Sequence, residues 1–128
     1  MADSLVDAAR EAQASAYAPY SGFRVGAAIH GTDGSIHQGC NVENASYGLT
    51  ICAERAAVAL AVSRGVRQFD RVVVVSDSEP PASPCGACRQ VLAEFGGDPE
   101  VVAVGPSSSR SWRLSELLPD AFTKVRLP

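Results

Sequence analysis

The sequence predicts an α/β sandwich around a mixed sheet, and three observations lead to that prediction. Predicted strands alternate with predicted helices along the chain, the order typical of α/β folds. An early Asp-Gly hairpin signal and a turn near Pro106 imply antiparallel pairs beside a parallel core. The 128 residues contain no repeat, low-complexity tract or long linker, so we predict a single domain over residues 1–128.

The first half of the chain contains a predicted helix, a hairpin and a second helix. Apolar residues from Leu5 onward repeat at helical spacing, and Asp3 or Ser4 can cap the helix that they form. Alternating apolar residues then indicate a strand, and Asp33-Gly34 turns the chain into its returning partner. The predicted bounds are a helix over 5–16, strands over 23–29 and 35–40, a polar loop over 41–48, and a helix over 51–64 ended by Gly65.

The second half alternates strands with one more long helix. The valines at 72–75 have no polar alternation, which is typical of a strand covered on both faces. Ser115 can cap a short final turn that ends before Pro119. The predicted bounds are a strand over 72–75, a proline-containing loop over 77–84, a helix over 85–95, a strand over 101–104 and an edge strand over 111–114.

Composition favours a soluble domain with its own core. Hydrophobic residues make up 46% of the chain, enough for a sizeable core without disulfides. The longest apolar stretch, residues 56–62, has seven residues, and a membrane helix needs about 20. No charged-then-apolar leader follows Met1. We therefore expect a cytoplasmic protein.

The charge pattern narrows the class of partner. Eleven basic and 14 acidic residues give a net charge of −3, and the basic residues are scattered singly. Nucleic-acid binders usually carry a basic stripe or patch. We therefore expect a small-molecule substrate, with no nucleic acid and no membrane as partner.

The four cysteines indicate a metal site. In a cytoplasmic chain they should be reduced, which favours metal binding over disulfides. Cys52 opens the second predicted helix, and Cys85 and Cys88 open the third, where the helix dipole favours thiolates. Three thiolates would leave a position on zinc open for water, whereas a fourth would close the site. Cys40, at a strand end, is assigned to the core, with a fourth-ligand role as the alternative.

Glu54 is the candidate catalytic residue. It lies two residues after Cys52, where its carboxylate can reach a water on the metal without being a ligand. A capping-box glutamate with Thr50 as N-cap would instead stand at position 53, which is Ala53. A purely helix-capping role is therefore not favoured for Glu54.

Zinc-dependent deaminases have a two-part signature. The first part is a cysteine or histidine, then any residue, then a glutamate, and the second, later part is Pro-Cys-x-x-Cys. Beyond this signature, the chain resembles the cytidine deaminases of the short, homotetrameric type from about residue 16 to 122. The segments that carry the resemblance are Tyr17-Ala18-Pro19-Tyr20-Ser21, Phe23 to Ala28, Gly39 to Asn44, Cys52 to Arg55, Pro84 to Gln90, and Leu117-Leu118-Pro119 with Phe122.

The resemblance implies a fold and an activity. The fold is a three-layer α/β/α sandwich with a mixed five-stranded sheet. One Zn²⁺ per chain would be held by Cys52, Cys85 and Cys88, with Glu54 as the proton shuttle. The activity is hydrolytic deamination of cytidine and 2′-deoxycytidine, with release of ammonia, in pyrimidine salvage.

The resemblance also implies how the nucleoside is bound within one chain. The backbone of Ala53 would meet the pyrimidine carbonyl. Asn41 and Glu43 match positions that hydrogen-bond a ribose hydroxyl, and Phe23 matches a residue that lines the pocket.

Other implied contacts cross subunit boundaries in a homotetramer. Phe122 matches an aromatic residue that closes a neighbouring subunit's pocket. Ala45 and Tyr47 match positions near the 5′ end of the sugar, again across an interface. Within its own chain, Arg55 matches an arginine that donates to the ligand sulfurs.

Two other functions remain open from the sequence. One is deamination of a modified cytosine nucleoside such as the antibiotic blasticidin S, and the other is a non-catalytic zinc-binding interaction module. Without the resemblance, Phe23 and Phe122 would be packing residues, and Asn41 and Glu43 would be loop formers. Arg89 could be a surface charge or a neighbour of the metal ligands.

Overall fold

A mixed five-stranded sheet forms the centre of the computed structural model, which describes residues 3–128. The strand order is β2-β1-β3-β4-β5; β3 and β4 are parallel, and every other neighbouring pair is antiparallel. The strands are β1 (Gly26–Gly31), β2 (Ile36–Cys40), β3 (Phe69–Val75), β4 (Glu100–Val104) and β5 (Ser109–Arg113). The mixed sheet predicted from the sequence is confirmed.

In the described part of the chain, four α-helices and two short 3₁₀ helices accompany the sheet. The α-helices are α1 (Ser4–Gln13), α2 (Ala53–Ser63), α3 (Gly86–Ala93) and α4 (Leu114–Leu117), and the 3₁₀ helices are Tyr47–Leu49 and Lys124–Arg126. Asp3 caps α1 by accepting hydrogen bonds from two amides of the first turn. Within residues 3–128 no helix is both long enough and apolar enough to cross a membrane.

The central strands β1, β3 and β4 are buried on both faces, which gives the sandwich its three layers. Val72 and Val74 of β3 face a core shared with α2, α3 and α4, whereas Val73 and Val75 face a second core under α1. The uninterrupted valine run is therefore explained by helices on both sides.

Two glycines let helices approach the sheet closely. A Cβ on Gly39 of β2 would overlap the backbone of Ala53 and Ala57 in α2, and a Cβ on Gly26 of β1 would overlap the backbone of α1. The close contact at Gly39 fixes the first turn of α2 against the sheet, and Cys52 immediately precedes that turn.

Several predicted bounds were wrong, each for a local reason. The strand predicted from Phe23 begins at Gly26, because backbone groups of Phe23 and Val25 pair with the Asn41 side chain instead of a neighbouring strand. The helix predicted from residue 51 begins at Ala53, because Ile51 forms a β-bridge with Val42.

The ends of other elements also differ from the prediction. The first helix stops at Gln13 instead of 16, the third covers Gly86–Ala93 instead of 85–95, and the edge strand begins at Ser109. Ser115 does not cap the final turn. Arg113 is the N-cap, and the Ser115 hydroxyl donates to Asp98.

Candidate active site

Three cysteine sulfurs meet where α2 and α3 begin. Cys52 is the N-cap of α2, Cys85 is the N-cap of α3, and Cys88 lies in the first turn of α3. Their Sγ atoms all lie within 4.8 Å of one another, and the Cys85 and Cys88 sulfurs are 3.6 Å apart. The cluster thus joins two helix N-termini next to the carboxyl end of β3.

Cys40 stands apart from this cluster. It is half-buried at the end of β2, beside Glu11, Ala12 and Ser15 on the α1 side of the sheet. The geometry therefore groups three cysteines and leaves the fourth out, as the sequence predicted, but Cys40 is only half-buried and belongs to neither of the two core clusters, contrary to the core position predicted for it.

The donor set has the chemistry of a zinc site. Thiolates at helix N-termini are soft ligands whose negative charge is favoured by the helix dipoles, and three of them leave a tetrahedral position open. A hydrogen bond from the Cys88 thiol, together with the adjacent Arg55 guanidinium, lowers the pKa of Cys52. The same bond, with burial, raises the pKa of Cys88. The cluster therefore favours at least one thiolate.

Arg55 is the cation beside the sulfurs. Its Nη2 donates to the Cys52 sulfur at 3.6 Å and to the Thr50 carbonyl at 3.3 Å. Its Nε is buried and has no hydrogen-bond partner among the described residues. The position on α2, three residues after Cys52, directs the guanidinium back towards the cluster.

Glu54 is held in the first turn of α2 and is only 5% exposed. Burial raises the pKa of its carboxyl group, and the nearby Cys52 adds to the increase. A carboxyl group that binds a proton more readily than usual is suited to proton transfer near neutral pH.

A cavity of about 200 Å³ lies over the cluster. Phe23, Asn41, Ala53, Glu54 and two of the cysteines are among its lining residues, so three of the four nucleoside contacts predicted within one chain are brought together. Sequence reasoning did not single out its other walls, which are Val25, Thr50, Ile51, Val74, Ala82 and Ser83. These are mostly small or apolar side chains with no motif of their own.

The Asn41 side chain bonds to the backbone of both Phe23 and Val25. Its Oδ1 accepts from the Val25 amide at 2.9 Å, and its Nδ2 donates to the Phe23 carbonyl at 2.7 Å. The side chain thus holds Phe23 at the cavity wall, a role that its residue type alone does not reveal.

Glu43 lies outside this cavity. Its carboxylate accepts hydrogen bonds from the Tyr20 and Ser21 amides and from the Ser21 hydroxyl. The bonds from Ser21 lower the pKa of Glu43 and keep it ionised. With Tyr20, Ser21 and Tyr47 it lines a separate depression of about 350 Å³.

The remaining predicted site residues also lie away from the cavity of their own chain. Tyr47 is 76% exposed and stands edge-on to Tyr20, and Phe122 is 61% exposed. Ala45 is exposed in the same loop as Tyr47.

The fold and the three-cysteine cluster together define a class, the zinc-binding deaminase domain. The chain belongs to the cytidine and deoxycytidylate deaminase family, whose zinc-binding region matches residues 1–104. This family membership confirms the resemblance seen in the sequence.

Individual relatives are similar in sequence to this chain over nearly its whole length. The chain is 48% identical over 127 residues to the cytidine deaminase of Sporosarcina psychrophila, covering 98% of this chain and 93% of the relative. It is 50% identical over 128 residues to a probable cytidine deaminase of Dictyostelium discoideum, covering 98% and 86%. The crystal structure of cytidine deaminase from Burkholderia pseudomallei superposes with a TM-score of 0.90 at 48% identity, covering 95% of this chain and all of that one (100%).

Proposed function

We propose that the protein is a hydrolytic cytidine deaminase that converts cytidine and 2′-deoxycytidine to uridine and 2′-deoxyuridine. The observation that carries the proposal is the buried Glu54 beside three cysteine sulfurs, under a cavity bounded by Phe23 and Asn41. The relatives named cytidine deaminase, 48% identical over almost the full chain, support the same reaction.

Cys52, Cys85 and Cys88 would hold one Zn²⁺ per chain. When bound, zinc supplies Lewis-acid chemistry that makes water acidic near neutral pH. The helix N-termini and Arg55 offset the negative charge of the thiolates, because they bring positive potential to the same point.

Glu54 moves the protons of the reaction. Its carboxylate takes a proton from the attacking water as the water oxygen bonds to C4 of the pyrimidine, and passes it to ring N3. It then carries the proton of the new C4 hydroxyl to the amino group. The C4–N bond breaks as the C4 carbonyl forms, and ammonia leaves. A positioned proton carrier of this kind contributes about 10²–10⁴-fold in rate.

The remaining residues orient the nucleoside. Ala53 is the first residue of α2 and lines the cavity, so its amide belongs to the orphan donors of a helix N-terminus and suits the pyrimidine carbonyl. Phe23, a residue that is 42% exposed, offers its ring as an apolar wall to the base. Beyond its bonds to Val25 and Phe23, the Asn41 amide keeps a second N–H and a second oxygen lone pair for a ribose hydroxyl. The Glu43 carboxylate, in the neighbouring depression that shares Thr50 with the cavity, can accept from one.

We further propose a cytoplasmic homotetramer in pyrimidine salvage. Exposed Tyr47 and Phe122 lie outside their own chain's cavity, and large exposed aromatic side chains favour burial against a partner. In the tetramer Phe122, Ala45 and Tyr47 would contact a neighbour's nucleoside.

Absorbance of cytidine, followed with the zinc-loaded protein, tests the activity. Wild-type protein should deplete cytidine, and Glu54→Gln should bind zinc normally while losing about 10²-fold or more in kcat. Glu94→Gln, the same change at an exposed glutamate beyond the end of α3, is the matched control.

Two results would contradict the proposal. Zinc-loaded wild-type protein that turns over no cytosine nucleoside would exclude the deaminase assignment. A Glu54 variant as fast as wild type would exclude its role in proton transfer.

A further inference from the structure

Arg89 of α3 forms an unusual set of contacts around the metal-ligand turn. Its Nε donates to the Pro84 carbonyl at 2.7 Å, its Nη2 to the Ser83 hydroxyl at 3.1 Å, and its Nη1 to the Leu117 carbonyl at 2.8 Å. One guanidinium thus joins the two residues before Cys85 to the end of α4.

The backbone of Arg89 contributes a fourth bond. Its amide donates to the Cys85 carbonyl at 3.0 Å, as expected in the first turn of a helix. The carbonyls of Pro84 and Cys85, on either side of the Cys85 Cα, therefore both accept from Arg89. The Arg89 side chain thus fixes the peptide group before Cys85, and the ordinary helical bond fixes the one after it.

Cys85 depends on such support more than the other two sulfur ligands do. It is exposed, whereas Cys88 is buried and Cys52 is half-buried beside Arg55. Little packing holds the Cys85 side chain, so the geometry of its main chain sets the position of its sulfur.

The guanidinium is well suited to this task. It is planar, always charged, and presents its donors in a fixed fork, so it holds its three acceptors in a fixed arrangement relative to one another. A lysine ammonium has no such fork and cannot reproduce the arrangement.

We propose that Arg89 is a positioning residue that holds Cys85 in its ligand geometry through the Pro84 carbonyl and the Ser83 hydroxyl. The inference rests on the proposed zinc site, and it assigns a role to a residue that does not itself touch the metal or the nucleoside. Outer partners that orient metal ligands are typically worth about 10–100-fold in metal affinity or activity.

Gln90 provides the discriminating control. Its Nε2 donates to the Phe122 carbonyl at 2.6 Å, so it also ties α3 to the C-terminal segment, but no hydrogen bond links its side chain to residues 83–85. If Arg89 acted only by securing that segment, removal of the Gln90 side chain would have a similar effect.

The experiment measures zinc release from the zinc-loaded protein into an excess of a colorimetric chelator. Arg89→Gln should release zinc at least about tenfold faster than wild type. Arg89→Lys should also release zinc faster than wild type, because it keeps the charge but loses the fork. Gln90→Ala should release zinc at the wild-type rate, as should Arg67→Gln, which removes one positive charge from an exposed residue.

The inference would be overturned if Arg89→Gln released zinc at the wild-type rate. It would also be overturned if Gln90→Ala released zinc as fast as Arg89→Gln. If Arg89→Gln does not fold, Arg89→Lys decides, and release from it at the wild-type rate overturns the inference. Failure of the proposed function looks different, because wild-type protein would then bind no zinc or leave cytidine unchanged.

Discussion

Arg55 Nη2 lies 3.6 Å from the sulfur of Cys52 and donates a hydrogen bond to it. Three thiolates around a divalent zinc leave one unit of surplus negative charge, which makes water at the metal less acidic. A fixed cation against one thiolate draws electron density from that sulfur and reduces this effect. The mutual attraction also raises the pKa of Arg55, so the guanidinium stays charged.

Replacing Arg55 should therefore damage the site more than the fold. We expect Arg55→Ala to unfold at a similar temperature to wild type but to lose about 10–100-fold in zinc affinity or kcat. Arg55→Lys should lose less zinc affinity or kcat than Arg55→Ala, since an ammonium keeps the charge. Zinc titration and steady-state kinetics measure the two quantities, and wild-type values of both in Arg55→Ala would remove Arg55 from the mechanism.

Gly39 should be intolerant of any side chain. An added Cβ would fall on the backbone of Ala53 and Ala57, which cannot move independently of α2. We expect Gly39→Ala to lower the free energy of unfolding by about 1–3 kcal/mol, the usual cost of overpacking. Urea denaturation measures this cost.

Gly48→Ala is the matched control for that measurement. A Cβ at Gly48 meets no atom within 4 Å, and its backbone has no positive φ. Equal stability of the two variants would show that α2 can shift away from β2.

The parts of the structure that could be predicted from the sequence are those marked by a residue pattern within a short segment. The valine run of β3, the Gly65 helix end and the spacing of Cys52, Glu54, Cys85 and Cys88 each have a pattern that reflects burial, backbone conformation or ligand geometry. The three-sulfur cluster was predictable because both helix starts carry recognisable residues.

The parts that were missed depend on contacts between distant segments. The strand predicted at Phe23 failed because Asn41, 18 residues later, takes the backbone groups that a strand partner would have used. The contacts of Arg89 end mainly on backbone carbonyls, and a carbonyl is present at every residue, so no sequence pattern marks those of Pro84 and Leu117.

His37 should make stability depend on pH. It is 2% exposed, with Nε2 at 2.8 Å from the Ser35 hydroxyl and Nδ1 at 3.3 Å from Arg64. Burial and the Arg64 charge lower the pKa of His37 below its usual value near 6.5. The folded state therefore holds neutral His37 at pH values where the unfolded chain is already protonated.

The direction in which the free energy of unfolding changes with pH follows from proton linkage. A histidine with a lowered folded pKa contributes stability that is complete above the unfolded pKa and is lost as pH falls towards the folded pKa. We expect the free energy of unfolding to decrease from about pH 7.5 to about pH 5.5, and to decrease less steeply in His37→Gln. Identical slopes from urea denaturation of the two proteins would contradict the assignment.

Asn41 gives the sharpest test of how the cavity wall is held. In Asn41→Asp, one carboxylate oxygen can still accept from the Val25 amide, but the other faces the Phe23 carbonyl, where Nδ2 now donates. We expect a loss of about 1–3 kcal/mol in the free energy of unfolding, the cost of a buried unsatisfied acceptor. The KM for cytidine should rise as well, because Phe23 loses its anchor and the ribose loses the amide donor of Asn41.

Asn44→Asp makes the same chemical change in the same loop and separates charge from geometry. Asn44 is exposed and uses only its Oδ1 as acceptor, from the Ser46 amide at 2.8 Å, a bond that a carboxylate preserves. Its stability and KM should therefore stay near wild type. The Asn41→Asp deficit should also shrink at acidic pH, because a protonated carboxyl group can donate to the Phe23 carbonyl as the amide does. A deficit that is independent of pH, or equal in the two variants, would show that Asn41 does not hold Phe23 through this bond.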